Sequence, residues 1–139
     1  MKSSADRSMK NKLGMTLLEL TVVILVMITL ISILFVGTRA WKKGSDRSAN
    51  IMNIRNVQQA VRAHANTREL AIGTPLAQTD IIGPGKYLGS VNPPNPDITY
   101  TGNFDSTIPP VGTLYLTPTY LNTTADAEFA PLAGSYSSW

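Results

Sequence analysis

Residues 15–36 read MTLLELTVVILVMITLISILFV and carry a single charged side chain, that of Glu19. A helix of these 22 residues rises about 33 Å, enough to cross the roughly 30 Å hydrocarbon core of a bilayer. The middle of the segment is apolar on every side of a helix axis, so it requires an apolar environment all round. A soluble chain of 139 residues has too little protein to surround it. The segment therefore predicts a membrane span or a helix buried among copies of itself.

Charge is distributed unevenly along the rest of the chain. Residues 1–14 carry a net charge of +3, residues 39–68 carry +6 and residues 69–139 carry −5, against +3 for the whole sequence. Residues 15–139 hold eight basic and eight acidic side chains, so the overall surplus equals that of the first fourteen residues. All nine prolines lie at or after Pro75, which divides the chain into a proline-free half and a half rich in turns.

Composition excludes several kinds of chemistry. The chain has no cysteine and one histidine, His64, so disulfide frameworks, thiolate zinc sites and His-rich metal sites are excluded. No nucleophile, base and orienting group can be assembled from the sequence, and we expect no enzymatic activity.

A cleaved secretory signal and a simple membrane anchor are the ordinary interpretations of the apolar segment. It is longer than the usual signal-peptide core and no A-x-A site follows it, which argues against the signal. Trp41, Lys42 and Lys43 come soon after it, as expected of anchors at a membrane interface. Neither interpretation explains Glu19, because a carboxylate within a membrane is costly and needs a partner. The basic counts on the two sides of the segment are equal, so charge leaves its orientation open.

Residues 12–20, KLGMTLLEL, resemble the processing site of type IV prepilins and type II secretion pseudopilins. The resemblance implies that residues 1–14 are a basic leader ending at Gly14, that Met15 becomes the N-methylated first residue, and that Glu19 is the assembly glutamate. Methionine at residue 15 replaces the phenylalanine commoner in the family. Glu19 would then form an ion pair with the Met15 ammonium of an adjacent subunit.

The resemblance also implies a fold and a set of partners. We expect an α+β, type IV pilin-like fold: residues 15–38 as a transmembrane and filament-core helix, 39–70 as its amphipathic continuation, and 71–139 as a small head with antiparallel strands and long loops. The expected partners are other copies, related pilins or pseudopilins, prepilin peptidase and methyltransferase, the inner-membrane assembly platform, and lipid before assembly. The precursor would lie in a bacterial inner membrane with its head outside the cytoplasm, and the filament would be periplasmic or extracellular.

The function we expect is that of a structural filament subunit, with a type II secretion pseudopilin ahead of two alternatives. One is a type IV pilus subunit for adhesion, motility or DNA uptake. The other is an uncleaved, single-pass, membrane-anchored binding module.

Local patterns locate the elements of the second half. Apolar residues at a spacing of three to four predict an amphipathic helix stripe, interrupted by one glutamine, over Ile51, Ile54, Gln58, Val61 and Ala65. A short helix is expected from Pro75 to Ile82. Alternating residues predict strands at 97–101 and 113–117, whereas residues 121–139 show no clear pattern.

Two ligand questions remain from the sequence. The acidic residues Asp97, Asp105, Asp126 and Glu128 are weak candidates for calcium, because they lack the tight spacing of a calcium loop. No other cofactor is expected. We do not expect nucleic acid as a partner, because no aromatic residue is interleaved with the basic residues between Trp41 and Tyr87.

Overall fold

The computed structural model describes the backbone of residues 3–139 and the side chains of residues 16–139. The architecture is α+β, and the elements in chain order are α1 (Ser3–Thr67), α2 (Gln78–Ile81), β1 (Ile98–Thr99), β2 (Thr119–Tyr120) and α3 (Thr123–Phe129). The chain divides into two compact units, Met1–Trp41 and Lys42–Trp139. The described residues of the first unit all belong to α1, and the second contains the rest of α1 and the other elements.

Helix α1 runs unbroken through Gly37 and Gly44 and ends at Thr67, slightly before the predicted end near Leu70. Glu69 adopts a left-handed backbone conformation with φ of 55°. The amide of Leu70 then donates to the carbonyl of Ala65 at 2.9 Å, which closes the last turn in the manner of a C-terminal cap. Glycine is the usual residue at such a position, so Glu69 holds a conformation that costs about 1 kcal/mol or more.

The predicted stripe on α1 supplies one wall of the core of the second unit. Ile54, Gln58, Val61 and Ala65 are buried, as is the neighbouring Val57, whereas Ile51 at the end of the stripe is half-buried. The rest of the chain covers this stripe with apolar side chains, namely Leu76, Ile81, Ile98, Tyr100, Ile108, Tyr115, Leu116, Ala125 and Phe129. Burying each large apolar side chain contributes about 1.5–3 kcal/mol, so this cluster is what holds the loops to the helix.

Two buried amides on α1 fix the loops in register. The amide nitrogen of Gln58 donates to the carbonyl of Thr113 at 2.9 Å, and its oxygen accepts from the backbone N–H of Tyr115 at 3.0 Å. The Asn50 side chain donates to the carbonyl of Phe129 and accepts from the hydroxyl of Tyr100 at 2.7 Å. Because buried polar groups must be paired, each amide specifies which backbone segment lies against it.

The sheet is smaller than predicted and uses a different second strand. Strand β1 falls within the predicted 97–101 and pairs antiparallel with β2, with Ile98 opposite Tyr120. The prediction of a strand at 113–117 is wrong. The backbone N–H of Tyr115 donates to the side-chain oxygen of Gln58 and is therefore not available to a neighbouring strand. Only an isolated antiparallel bridge between Leu116 and Phe104 forms there.

The two short helices also depart from the sequence prediction. Helix α2 begins at Gln78 rather than Pro75, since Pro75 forms a bridge with Thr107. Helix α3 lies in the stretch for which we predicted no pattern. Its start is set by Asn122, whose side-chain oxygen accepts from the N–H of Ala125 at 2.9 Å and thereby satisfies an otherwise free helix donor.

Candidate functional site

The apolar first part of α1 lies open to solvent in the structure. Its large side chains from Leu17 to Val36 are between 46% and 72% exposed, so the described part of the chain does not cover them. The helix is long and apolar enough to cross a membrane, judged by length and composition alone. Exposed apolar surface of this extent marks a region that lipid or another protein covers.

The hydroxyl groups in this segment bond to their own helix. Thr21 Oγ1 donates to the carbonyls of Leu17 and Leu18, both at 2.9 Å, and Ser32 Oγ donates to that of Ile28 at 2.8 Å. Such bonds satisfy a hydroxyl without a partner from outside, which suits a helix in lipid.

Glu19 is the one acidic side chain between residues 16 and 45. It is exposed and lies in a shallow apolar groove with Leu18, Val22 and Val23. Among residues 16–139, the ion pair that forms is that of Lys43 with Glu128, so the described part of the chain supplies no cation to Glu19. Gly14 and Met15, the predicted cleavage and methylation residues, lie outside the fully described residues.

The predicted interface anchors differ in their surroundings. Trp41 is 80% exposed, and Lys42 is exposed as well. Lys43 contacts α3, where its Nζ lies 2.8 Å from Glu128 Oε1. Such a solvent-exposed pair is worth at most about 1 kcal/mol, so Lys43 remains available for the predicted role at a membrane surface.

The four calcium candidates are not gathered into one cluster among the described residues. The described residues contain no group of three or more acidic or histidine side chains that could hold a metal ion. Asp105 Oδ1 accepts from the backbone N–H of Ser106 at 2.7 Å, and Glu128 is paired with Lys43. No three of the four candidates therefore share a metal-binding cluster among the described residues.

Two buried tyrosines and the half-buried Tyr120 have raised pKa values in the second unit. Burial, followed by the negative charges of Asp105 and Asp80, raises the pKa of Tyr115 to about 12. Burial also raises the pKa values of Tyr100 and Tyr120. These phenols stay protonated at neutral pH. The hydroxyls of Tyr100 and Tyr115 donate to Asn50 Oδ1 and to the carbonyl of Leu76, whereas that of Tyr120 accepts from Asn50 Nδ2.

His64 belongs to a polar cleft that sequence reasoning missed. His64 is buried, and its ring makes a T-shaped contact with that of Tyr87, with centroids 5.7 Å apart and planes at 79°. Arg68, Asp80 and Lys86 line the same cleft. These residues come from three segments that only folding brings together, and no spacing in the sequence indicates the cluster.

Comparison with known proteins gives no family, because no protein-family model, curated protein or solved structure matches the chain. Function must therefore be inferred from the motif around Gly14 and from the structure. Two features bear on it most: an uncovered apolar helix, and a carboxylate within that helix that lacks a cation in the described residues.

Proposed function

We propose that this chain is a structural subunit of a type IV pilin-like filament and acts as a secretion pseudopilin. It is made with a basic leader, cut after Gly14, N-methylated on Met15 and assembled through the first part of α1. The observation that carries the proposal is Glu19, an exposed carboxylate in an apolar helix without a cation among the described residues. A pilin-like fold is compatible with one long N-terminal helix and a small antiparallel sheet.

Leader removal would supply the missing cation. Cleavage after Gly14 creates a free α-amino group on Met15, and the group stays cationic after monomethylation. In a filament core, the ammonium of one subunit pairs with Glu19 of its neighbour. A buried ion pair adds little net stability over an apolar pair, but one buried charge without its partner costs about 3–5 kcal/mol. The pair therefore acts on register: a misaligned subunit leaves Glu19 unpaired.

The exposed helix surface supplies the area over which subunits associate. Moving this surface from lipid to a bundle of identical helices gains van der Waals contact rather than hydrophobic free energy, because lipid is equally apolar. Small residues such as Thr21 and Ser32 permit a close approach of two helices. Assembly, not catalysis, is the chemistry that these residues serve.

The experiment is replacement of Glu19 by alanine and by glutamine in a cell that assembles the filament. We expect membrane insertion and leader removal to persist in both variants, while filament yield falls sharply. Thr29→Ala is the matched control, because it removes a polar group from the same helix whose hydroxyl bonds only to the carbonyl of Val26. Normal filament yield from Glu19→Ala would defeat the proposal.

The choice of pseudopilin over pilus subunit rests on the head. It lacks cysteine, and its regular structure beyond α1 consists of two short strands and two short helices. Deletion of the chain is expected to block export of a secreted protein and to leave surface pili intact. Loss of long surface fibres with normal secretion would instead assign the chain to a pilus.

A further inference from the structure

A small polar cleft lies where the end of α1 meets α2 and the loop at residues 83–88. Its volume is about 360 Å³, near the lower end of the roughly 300–1,000 Å³ typical of small-molecule sites. The residues that line it are His64, Arg68, Asp80, Gly85, Lys86 and Tyr87. It is separate from the apolar segment on which the proposed assembly function depends.

His64 is the unusual member of the cleft. The residue is only 3% exposed, yet its ring has no hydrogen-bond partner among the described residues. In that part of the chain, Arg62 Nε is the one side-chain nitrogen or oxygen that is both sealed from solvent and unbonded. The ring nitrogens of His64 are therefore not sealed in the core, and they reach the cleft. A buried imidazole without a partner is the kind of group that a ligand satisfies.

The charges around His64 favour an anion. Arg68 and Lys86 are exposed and neither takes part in an ion pair in the described structure. The acidic residue of the cleft is Asp80, whose Oδ2 already accepts from the N–H of Ala77 at 3.1 Å. Arg68 and Lys86 together outweigh Asp80, so the formal charge of the cleft is at least +1. His64 lies in the last turn of α1, where the helix dipole opposes an anion, so the two basic side chains must outweigh this term.

We propose that this cleft binds a phosphate group. Arg68 offers a planar set of donors that matches a phosphate edge, Lys86 adds a point charge, and His64 donates one ring N–H from the floor. Tyr87 holds the imidazole in place through its edge contact. The phosphate belongs to a soluble monoester or to a lipid headgroup, which present the same oxygens to the cleft.

The test uses the single histidine of the chain. The untagged full chain in detergent micelles, labelled only at histidine, gives one imidazole signal, from His64. Titration with inorganic phosphate at constant ionic strength and pH should shift this signal to saturation. Since each substitution removes one charge-assisted contact, Arg68→Gln and Lys86→Gln should each weaken binding about fivefold to tenfold.

Matched controls remove the same charges elsewhere. Arg55→Gln and Lys42→Gln lie on exposed positions of α1 outside the cleft and should leave the affinity unchanged. A shift that never saturates, or that the two control variants weaken as much as the cleft variants do, overturns the proposal. Loss of binding in the cleft variants counts in its favour only when their thermal unfolding matches that of the wild type.

A second arm identifies the source of the phosphate. The chain is placed in bilayer discs of anionic or of zwitterionic phospholipid, and the phosphate titration is repeated. Equal phosphate affinity in both discs assigns the site to a soluble phosphate ester. If the His64 signal is already shifted in anionic discs before phosphate is added, and phosphate then binds more weakly there, the site is assigned to a lipid headgroup. No shift with phosphate in either disc or in micelles contradicts the proposal.

Discussion

Replacing Gln58 with alanine should lower the free energy of unfolding of the second unit far more than the same change at an exposed helix position. Gln58 is 2% exposed, and its amide holds both the carbonyl of Thr113 and the N–H of Tyr115. Alanine leaves these two backbone groups without partners. The N–H of Tyr115 is buried and loses its partner at a cost of about 1–3 kcal/mol, whereas Thr113 is exposed and its carbonyl can bond to water. The free energy of unfolding should therefore fall by about 1–3 kcal/mol.

Thermal unfolding of the full chain in detergent measures this loss. The near-ultraviolet circular dichroism signal reports mainly on the second unit, because all five tyrosines and Trp139 lie there, while Trp41 of the first unit is 80% exposed. For a domain near 100 residues, 1 kcal/mol corresponds to a shift in Tm of about 4–8 °C. The Tm of Gln58→Ala should therefore fall by about 4 °C or more.

Gln59 provides the control, since it is the next residue on α1, has the same side chain and is exposed. Gln59→Ala should change stability by no more than about 0.5 kcal/mol. A loss below about 1 kcal/mol for Gln58→Ala, or equal losses for the two variants, would refute the claim that the buried amide fixes this loop.

Two further predictions concern charge and ionisation. The exposed Lys43–Glu128 pair should show a coupling energy below about 1 kcal/mol in a double-mutant cycle of alanine variants, and a larger value that resists salt would contradict this. Burial raises the pKa of Tyr115 from the ordinary tyrosine value of 10.0 to about 12, so the folded chain keeps this proton to about pH 12. Its contribution to stability should be complete below about pH 10 and be lost as pH rises towards 12. Alkaline unfolding of Tyr115→Phe should show a smaller fall over this range, and an identical fall would count against the assignment.

The sequence predicts the helix well because helix signals are local. A long stretch without proline and a stripe at a spacing of three to four residues place Ile54, Val61 and Ala65 in the core correctly. Even the polar interruption at Gln58 follows this register. The end of the helix is less predictable, because it depends on the left-handed backbone of Glu69, a residue without a strong preference for that conformation.

The head is less predictable because its backbone hydrogen bonds are settled by distant residues. Residues 113–117 alternate like a strand, yet the N–H of Tyr115 donates to the side chain of Gln58 on α1 rather than to a neighbouring strand. Helix α3 starts where Asn122 caps it. An asparagine is a recognisable capping residue, but no apolar periodicity follows it in the sequence to indicate a helix. The cleft around His64 depends on three separate segments, so no local pattern reveals it.

The proposed assembly function depends on how the mature chain begins. Intact-mass and N-terminal fragment spectra of the protein purified from its native membrane report this directly. We predict a chain that starts at Met15 with a single methyl group on its α-nitrogen, which places a cation four residues before Glu19. A chain that retains Met1 and the basic residues of its first fourteen positions would contradict the filament proposal and favour an uncleaved membrane anchor.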